Sequence, residues 1–376
     1  SLQKITKSSF ITKKNFQKKK MSQITKYLNK EFFISIAMIM LGLIALFSFF
    51  DFIQEINDLG KGGYGLFQIF NYVLLSVPGH LYEIIPLAVL IGAMYTVGEL
   101  SQNSEFTVMR SSGLSIRKIA ISLIYVGLFF CFLTFFIGDL ISPNSEKNAQ
   151  RLKISSTDSV VSQEFKSGFW IKDGKSFVNI ENVLPDSSLE DIHIYEFDKD
   201  FKLRTIVNAK DGNFEDGQWK LNNISLTFLG EEKVTSTNIK KGNWKSLIRP
   251  EMMNALIISP EKMSTINLAK FINYLKLNNQ KVTRYEIALW EKLIHPIMPL
   301  VMLIFAIPFG FLQERSGGKY LKMFLGIVIG ISYQILNTMI RHMGLLNDWQ
   351  PFMSSLIPTI IFLSIGLYLI FKIERL

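Results

Sequence analysis

Cysteine is almost absent. Cys131 stands alone inside an apolar run, so neither a disulfide within the chain nor a cysteine-rich metal site is available. Four histidines are scattered, and none has the HExxH spacing of a zinc hydrolase. No Gly-x-x-x-x-Gly-Lys-[Ser/Thr] phosphate loop occurs, so the chain does not bind ATP in that manner itself. Neither a GxSxG elbow nor a Ser-Lys pair within a span stands out. Gly60-Lys61-Gly62-Gly63-Tyr64-Gly65 matches GxGxxG literally, but a dinucleotide site needs that run inside a strand–turn–helix unit. Here the flanks are apolar helical segments, and the run reads as a turn.

Acidic residues are missing before Glu31, while Lys4, Lys7, Lys13, Lys14, Lys18, Lys19, Lys20, Lys26 and Lys30 crowd the same stretch. The net charge of +10 invites a nucleic-acid reading. A basic block directly before a long apolar run is instead the ordinary signal for a cytoplasmic end and for anionic lipid. No nucleic-acid partner is expected. Ser1 is not an initiator and Met21 is the better start, so residues 1–20 are left out of the fold reading.

What the chain has in abundance is apolar length. Hydrophobic residues make up 48%, in runs near the twenty residues that cross a bilayer core. Expected spans cover residues 32–52, 66–97, 116–137, 286–311, 320–340 and 352–371. The second is longer than one perpendicular crossing needs and contains Pro78 and Pro86, which fits one bent helix better than two crossings. His80 and Glu83 between those prolines sit either at the interface or in the lining of a cavity. The fourth span carries Glu291, Lys292 and His295 with Pro296, Pro299 and Pro308. Gly326 and Gly330 have GxxxG spacing, which serves helix packing or a movable contact. Arg341 and His342 close the fifth span at the outer face, a mild breach of the charge rule.

Residues 141–265 have another texture. Phe177, Val178 and Ile180, then Ile192 and Ile194, then Leu203, Thr205 and Val207 alternate between turn dipeptides at Asp173-Gly174, Asp211-Gly212 and Asp216-Gly217. Such runs indicate an antiparallel β-sandwich or jelly roll. The expected organisation is therefore a basic cytoplasmic segment at 1–30 and spans one to three within 31–140. An external β-jelly-roll domain follows at 141–265, and spans four to six lie within 266–376. Counting crossings puts both termini in the cytoplasm.

It also places the polar stretch Ser104-Glu105-Phe106-Thr107-Val108-Met109-Arg110-Ser111-Ser112-Gly113 on the cytoplasmic side, in a short helix near 99–113. Arg110, Arg117 and Lys118 agree with that side. A chain with no ATPase motif needs somewhere to be pushed, and this stretch is the candidate.

The residues resemble the YjgP/YjgQ permeases, the LptF and LptG subunits of bacterial lipopolysaccharide transport. Asp58-Leu59-Gly60-Lys61-Gly62 with Tyr64, Leu75-Ser76-Val77-Pro78, Ser104-Glu105-Phe106 with Val108-Met109 and Ser112-Gly113 carry the likeness. So do Pro143, Glu146 and Ala149, Gly168-Phe169-Trp170-Ile171-Lys172-Asp173-Gly174, Trp290, Lys292 and Pro296, and Pro308-Phe309. The first and the β-domain signatures are more similar to LptG than to LptF. The resemblance implies a heterodimer with an LptF-like paralogue, an LptB-like ATPase dimer that hydrolyses ATP with Mg, and LptC-like and LptA-like periplasmic bridge proteins. It implies no cofactor on this chain, no metal site and no catalytic residue. Glu105, with Phe106, Met109 and Arg110, takes the ATPase-coupling role by position; Phe106 stands where relatives usually have Leu. Lys61, Arg151, Lys153 and Lys292 become candidate contacts for lipopolysaccharide in the inner membrane. Two rival classes remain: a mechanotransmitting permease of the FtsX or MacB kind, which has four spans, and a membrane enzyme modifying envelope lipids.

Overall fold

A computed structural model describes residues 2–111, 116–157, 169–184, 188–230, 233–246, 248–250, 259–310 and 318–375. Ser112 and Gly113, Gly168 and the loop 313–317 lie outside the described residues, as do the side chains of residues 1–22, Phe106, Thr107, Arg110, Arg117 and Lys118. Two compact units emerge, one of Ser1–Phe47, His80–Ile137 and Trp290–Leu376, the other of Ser48–Gly79 and Gly138–Leu289.

Among the described residues six helical stretches are long and apolar enough to cross a membrane: Gln23–Ile56, Leu66–Gln102, Ile119–Thr157, Thr283–Gly310, Lys319–Leu346 and Pro351–Ile373. They belong to α1 (Leu2–Ile56), α2 (Leu66–Gln102), α4 (Ile116–Phe136) with α5 (Ser142–Thr157), α7 (Thr283–Ile294) with α8 (Met298–Ala306), α9 (Lys319–Leu346) and α10 (Pro351–Glu374). The seven-residue α3 (Glu105–Ser111) and α6 (Thr265–Leu277) complete the helices named here. Pro78 and Pro86 leave α2 one continuous helix, as expected. Prolines act more strongly in the fourth span, where α7 and α8 are joined by a 3-10 turn at His295–Ile297. Pro296 lacks the N–H that an α-helical ladder would use there.

In the first unit the core is built from Leu28, Phe32 and Ile36 of α1, the Ile85–Leu100 part of α2, Leu123 and Phe130 of α4, and Val301 to Ala306 of α8. Gly92 makes the α1–α2 approach possible: a Cβ there would stand 2.7 Å from the Ile36 Cα. Small residues of this kind replace the hydrophobic drive that lipid cannot supply between helices.

The second unit holds an antiparallel sheet. Its strands are β1 (Phe169–Asp173), β2 (Ser176–Val183), β3 (Leu189–Phe197), β4 (Leu203–Glu215), β5 (Gln218–Leu229) and β6 (Val234–Trp244). They pair in chain order, so the inserted antiparallel domain is present, and its described strands form a meander without the Greek-key crossings of a full jelly roll. Asp216-Gly217 makes the β4–β5 turn with both residues at positive φ, as a type I′ hairpin requires. Asp211-Gly212 is a correction: both residues pair within β4, opposite Asn222 and Leu221, and no turn forms there. The dipeptide is a turn former only when the flanking strands end, and here β4 continues to Glu215.

Register aligns one apolar face. Phe169, Ile180, Ile192, Ala209, Ile224 and Ile239 form one cross-strand row, and Ile171, Val178, Ile194, Val207 and Leu226 the next. Side chains two residues apart share a face, so both rows point the same way. Helix α6 covers them with Leu268, Phe271, Tyr274 and Leu275, and Trp219 is sealed beside it. The α6 end is tied to the β1–β2 turn, where Asn278 Oδ1 accepts the Gly174 N–H at 2.9 Å and Tyr274 Oη donates to Lys172 O at 2.9 Å. Thus α6 belongs to the core of the β-domain.

Candidate functional site

The stretch singled out in the sequence lies at a sharp reversal. α2 ends at Gln102, and Ser104 then takes the left-handed conformation at φ +59° before α3 begins at Glu105. A non-glycine residue there is uncommon, though a short polar side chain reduces the penalty. Ser104 N–H donates to Ser101 O at 3.0 Å and Val108 N–H to Ser104 O at 3.1 Å, so the backbone stays bonded through the corner. Glu105 is half-buried and accepts a long hydrogen bond from Tyr27 Oη at 3.4 Å. Val108 is exposed, whereas Met109 is buried within the core of its own unit. That burial anchors α3 to the core of the unit.

Gly326 and Gly330 face α2. A Cβ on Gly326 would meet Met94 and Ile91 at 3.2–3.3 Å, and one on Gly330 would meet the Leu87 side chain at 2.2 Å. In this conformation the pair packs one helix against another.

Lys61 and Lys153, read as candidate headgroup contacts, both carry internal counter-ions. Lys61 Nζ lies 2.6 Å from Asp58 Oδ1. Lys153 Nζ, on α5, lies 2.8 Å from Glu55 Oε1 and 2.9 Å from Asp58 Oδ2, and 5.5 Å above the Tyr72 ring. Tyr64 Oη donates to the second Glu55 oxygen at 2.8 Å. The hydrogen bonds from Lys61 and Lys153 hold the Asp58 carboxyl below its usual range. Burial, and then the bond to the Glu55 carboxylate, push the Tyr64 phenol well above its ordinary value. Gly63 N–H donates to Ser156 O at 2.7 Å, so the GxGxxG look-alike closes onto the end of α5 and holds no nucleotide-type turn. Arg151 is half-buried on the same helix. Sequence reasoning missed Glu55 and Tyr72 in this cluster, and nothing local signals them.

Lys292 is buried elsewhere, in the first unit, with Nζ 5.4 Å from the Tyr82 ring centre. The Tyr82 and His295 rings stand 4.4 Å apart. Arg341, the charge that sat oddly at the end of a span, lies 3.6 Å from Glu291. It joins α9 to α7. His80 packs its ring against Phe47 at 5.6 Å. Among the described residues no group of three His, Cys, Asp or Glu side chains is placed to hold a metal ion.

Comparison with known proteins extends these observations over nearly the whole chain. The family profile described as lipopolysaccharide export system permease LptF/LptG matches residues 26–372. The lipopolysaccharide export system permease protein LptG of Escherichia coli K12 is 28% identical over 352 residues, covering 93% of this chain and 98% of that protein. LptG of Haemophilus influenzae is 27% identical over 344 residues, covering 90% and 96%. With six membrane-length helices, an inserted antiparallel sheet and a full-length family match, this chain belongs to the LptF/LptG family of lipopolysaccharide export permeases.

Proposed function

We propose that this chain is the transmembrane permease subunit of an ABC transporter that lifts lipopolysaccharide out of the bacterial inner membrane and passes it to a periplasmic bridge. ATP and Mg are used by a separate, LptB-like ATPase. An LptF-like paralogue completes the membrane cavity, and LptC-like and LptA-like proteins receive the lipid. Both termini face the cytoplasm and the β-domain faces the periplasm.

One observation carries this reading. A chain without a phosphate loop has, between two membrane-length helices, a seven-residue helix that starts at half-buried Glu105 and is rooted by Met109 in the core. Rooting matters because a push on a loosely attached loop is absorbed, whereas a push on α3 moves the helices packed on Met109. The physics of the cargo supports the same function. Moving one acyl chain of about a dozen methylenes into water costs on the order of 10 kcal/mol, at about 0.8 per CH₂. A lipid with several chains therefore needs a continuous apolar surface; in the β-domain most of the paired rows lie beneath α6, and the apolar row stays exposed at Ile239 on β6.

Phosphates on the headgroup favour cations. Arg151 is one candidate. Lys61 and Lys153 are others, and they engage a phosphate only by competing with Asp58 and Glu55. The test is substitution of Glu105 by Ala or Arg in the assembled complex. The reading expects the ATPase to co-purify poorly and export to fall while the spans stay folded; normal export with normal co-purification would overturn it.

A further inference from the structure

Helices α2 and α9 run past one another in opposite directions, and their contacts form a regular series. Leu87 meets Gly330, Ile91 and Met94 meet Gly326, and Gln102 meets Gly318. Between the last two lies Gly98, where a Cβ would stand 2.7 Å from the Lys319 Cα, so the backbones nearly touch. At that point the Lys319 ammonium donates to Glu99 Oε1 and to Tyr95 Oη, both at 3.0 Å. It also lies 5.0 Å from the centre of the Tyr95 ring and 5.7 Å from that of Tyr320. Tyr95, Gly98, Glu99 and Gln102 share one α2 face, as three- and four-residue spacing requires.

Position gives this contact its meaning. Lys319 is the first residue of α9, and Glu99 lies five residues before Ser104, at which the chain turns into α3. The α2 end that carries the corner is thus clamped to the start of another membrane-length helix. A single hydrogen-bonded charge pair in a close backbone contact transmits displacement in a way that apolar contact, which slides, does not.

We propose that Lys319, held by Glu99 and Tyr95, is a positioning residue that passes movement of the α2–α3 corner to α9. This rests on the coupling role proposed for α3. Gly326 and Gly330 keep the same helix pair in close apolar contact further along, and the charge pair at Lys319 fixes the register of that contact so that α9 follows α2. Lys319 touches neither nucleotide nor lipid in this scheme; it determines how much of each ATPase stroke reaches the membrane helices.

The full complex reconstituted in nanodiscs tests this, with two readouts: ATPase retained on the complex, and ATP hydrolysed per lipopolysaccharide extracted. Lys319→Met is expected to keep the ATPase bound while raising ATP consumed per lipid by about tenfold, a coupling loss of ordinary size. Glu99→Gln should act in the same direction, and it serves if Lys319→Met fails to assemble. Lys319→Arg should behave as the unaltered protein, and the exchange Glu99→Lys with Lys319→Glu should recover most of the loss. An unchanged ratio with the ATPase in place, or an exchange no better than the single substitution, overturns the link alone. If the unaltered chain retains no ATPase, the reading of α3 fails and the link falls with it.

Discussion

Lys153 Nζ and Glu55 Oε1 stand 2.8 Å apart although 98 residues separate them in the chain. Glu55 is 8% exposed at its side chain, and its carboxylate oxygens are met by that ammonium and by the Tyr64 hydroxyl. Truncating Lys153 to Met should destabilise the fold by about 2 kcal/mol, less than for a fully buried pair because Lys153 retains some solvent. Glu55→Gln should lose less, since the amide oxygen still accepts from Tyr64. Denaturant unfolding of the full chain in detergent measures both. Equal, negligible effects would mean the pair is no structural tie.

Asp58 gives the same cluster an acid limit. Its carboxyl is held below the ordinary range by Lys61 and Lys153, so the folded state binds its proton less readily than the unfolded chain. The resulting stabilisation is fully present above the unfolded aspartate value of about 4 and is lost as pH falls through the lower folded value. The melting temperature should therefore drop more steeply below about pH 4 in the unaltered protein than in Asp58→Asn. Parallel pH profiles would remove Asp58 from the account.

Gly92 and Gly42 form a matched pair for testing the α1–α2 contact. A methyl on Gly92 would run into the Ile36 backbone, whereas one on Gly42 meets nothing within 4 Å. Backbone cannot swing aside as a side chain does. Gly92→Ala should lower stability by about 1–3 kcal/mol. Gly42→Ala should leave it unchanged or slightly raised, since Ala outranks Gly in helices. Thermal stability in the same detergent decides.

In the β-domain, Trp219 is fully buried and donates from Nε1 to Ile248 O at 2.8 Å. Trp219→Ala should cost about 3–5 kcal/mol and open the domain to limited proteolysis. Trp219→Phe should keep most of the packing and lose about 1 kcal/mol for the hydrogen bond. Fragments confined to residues 169–246 in Trp219→Ala alone would support this. Identical digestion of all three proteins would contradict it.

The six spans were legible because about twenty apolar residues in a row have few other uses. The alternation of Ile192 with Ile194 and of Thr205 with Val207 likewise announced strands, while strand order did not follow, since pairing partners are a tertiary choice. Asp211-Gly212 misled because a turn-forming dipeptide carries no information about whether its strand stops. Met109 could not be assigned a direction from the sequence, because seven residues of α3 give barely two turns of periodicity. Lys153 looked like an open cation because Glu55, 98 residues away, and Asp58 reach it only through the fold, whereas the Lys61–Asp58 pair is local and was simply passed over. Lys319 was passed over for a simpler reason: a lysine after a polar loop looks solvated until Gly98 brings α2 beside it.

The most direct measurement of the central claim places a photo-crosslinking residue at Ile239, on the inner apolar row near the open edge of the sheet. In the assembled complex the account predicts adducts with lipopolysaccharide that require ATP and disappear when Glu105 is replaced by Arg. Adducts that form equally without ATP, or none in a complex that hydrolyses ATP, would contradict it.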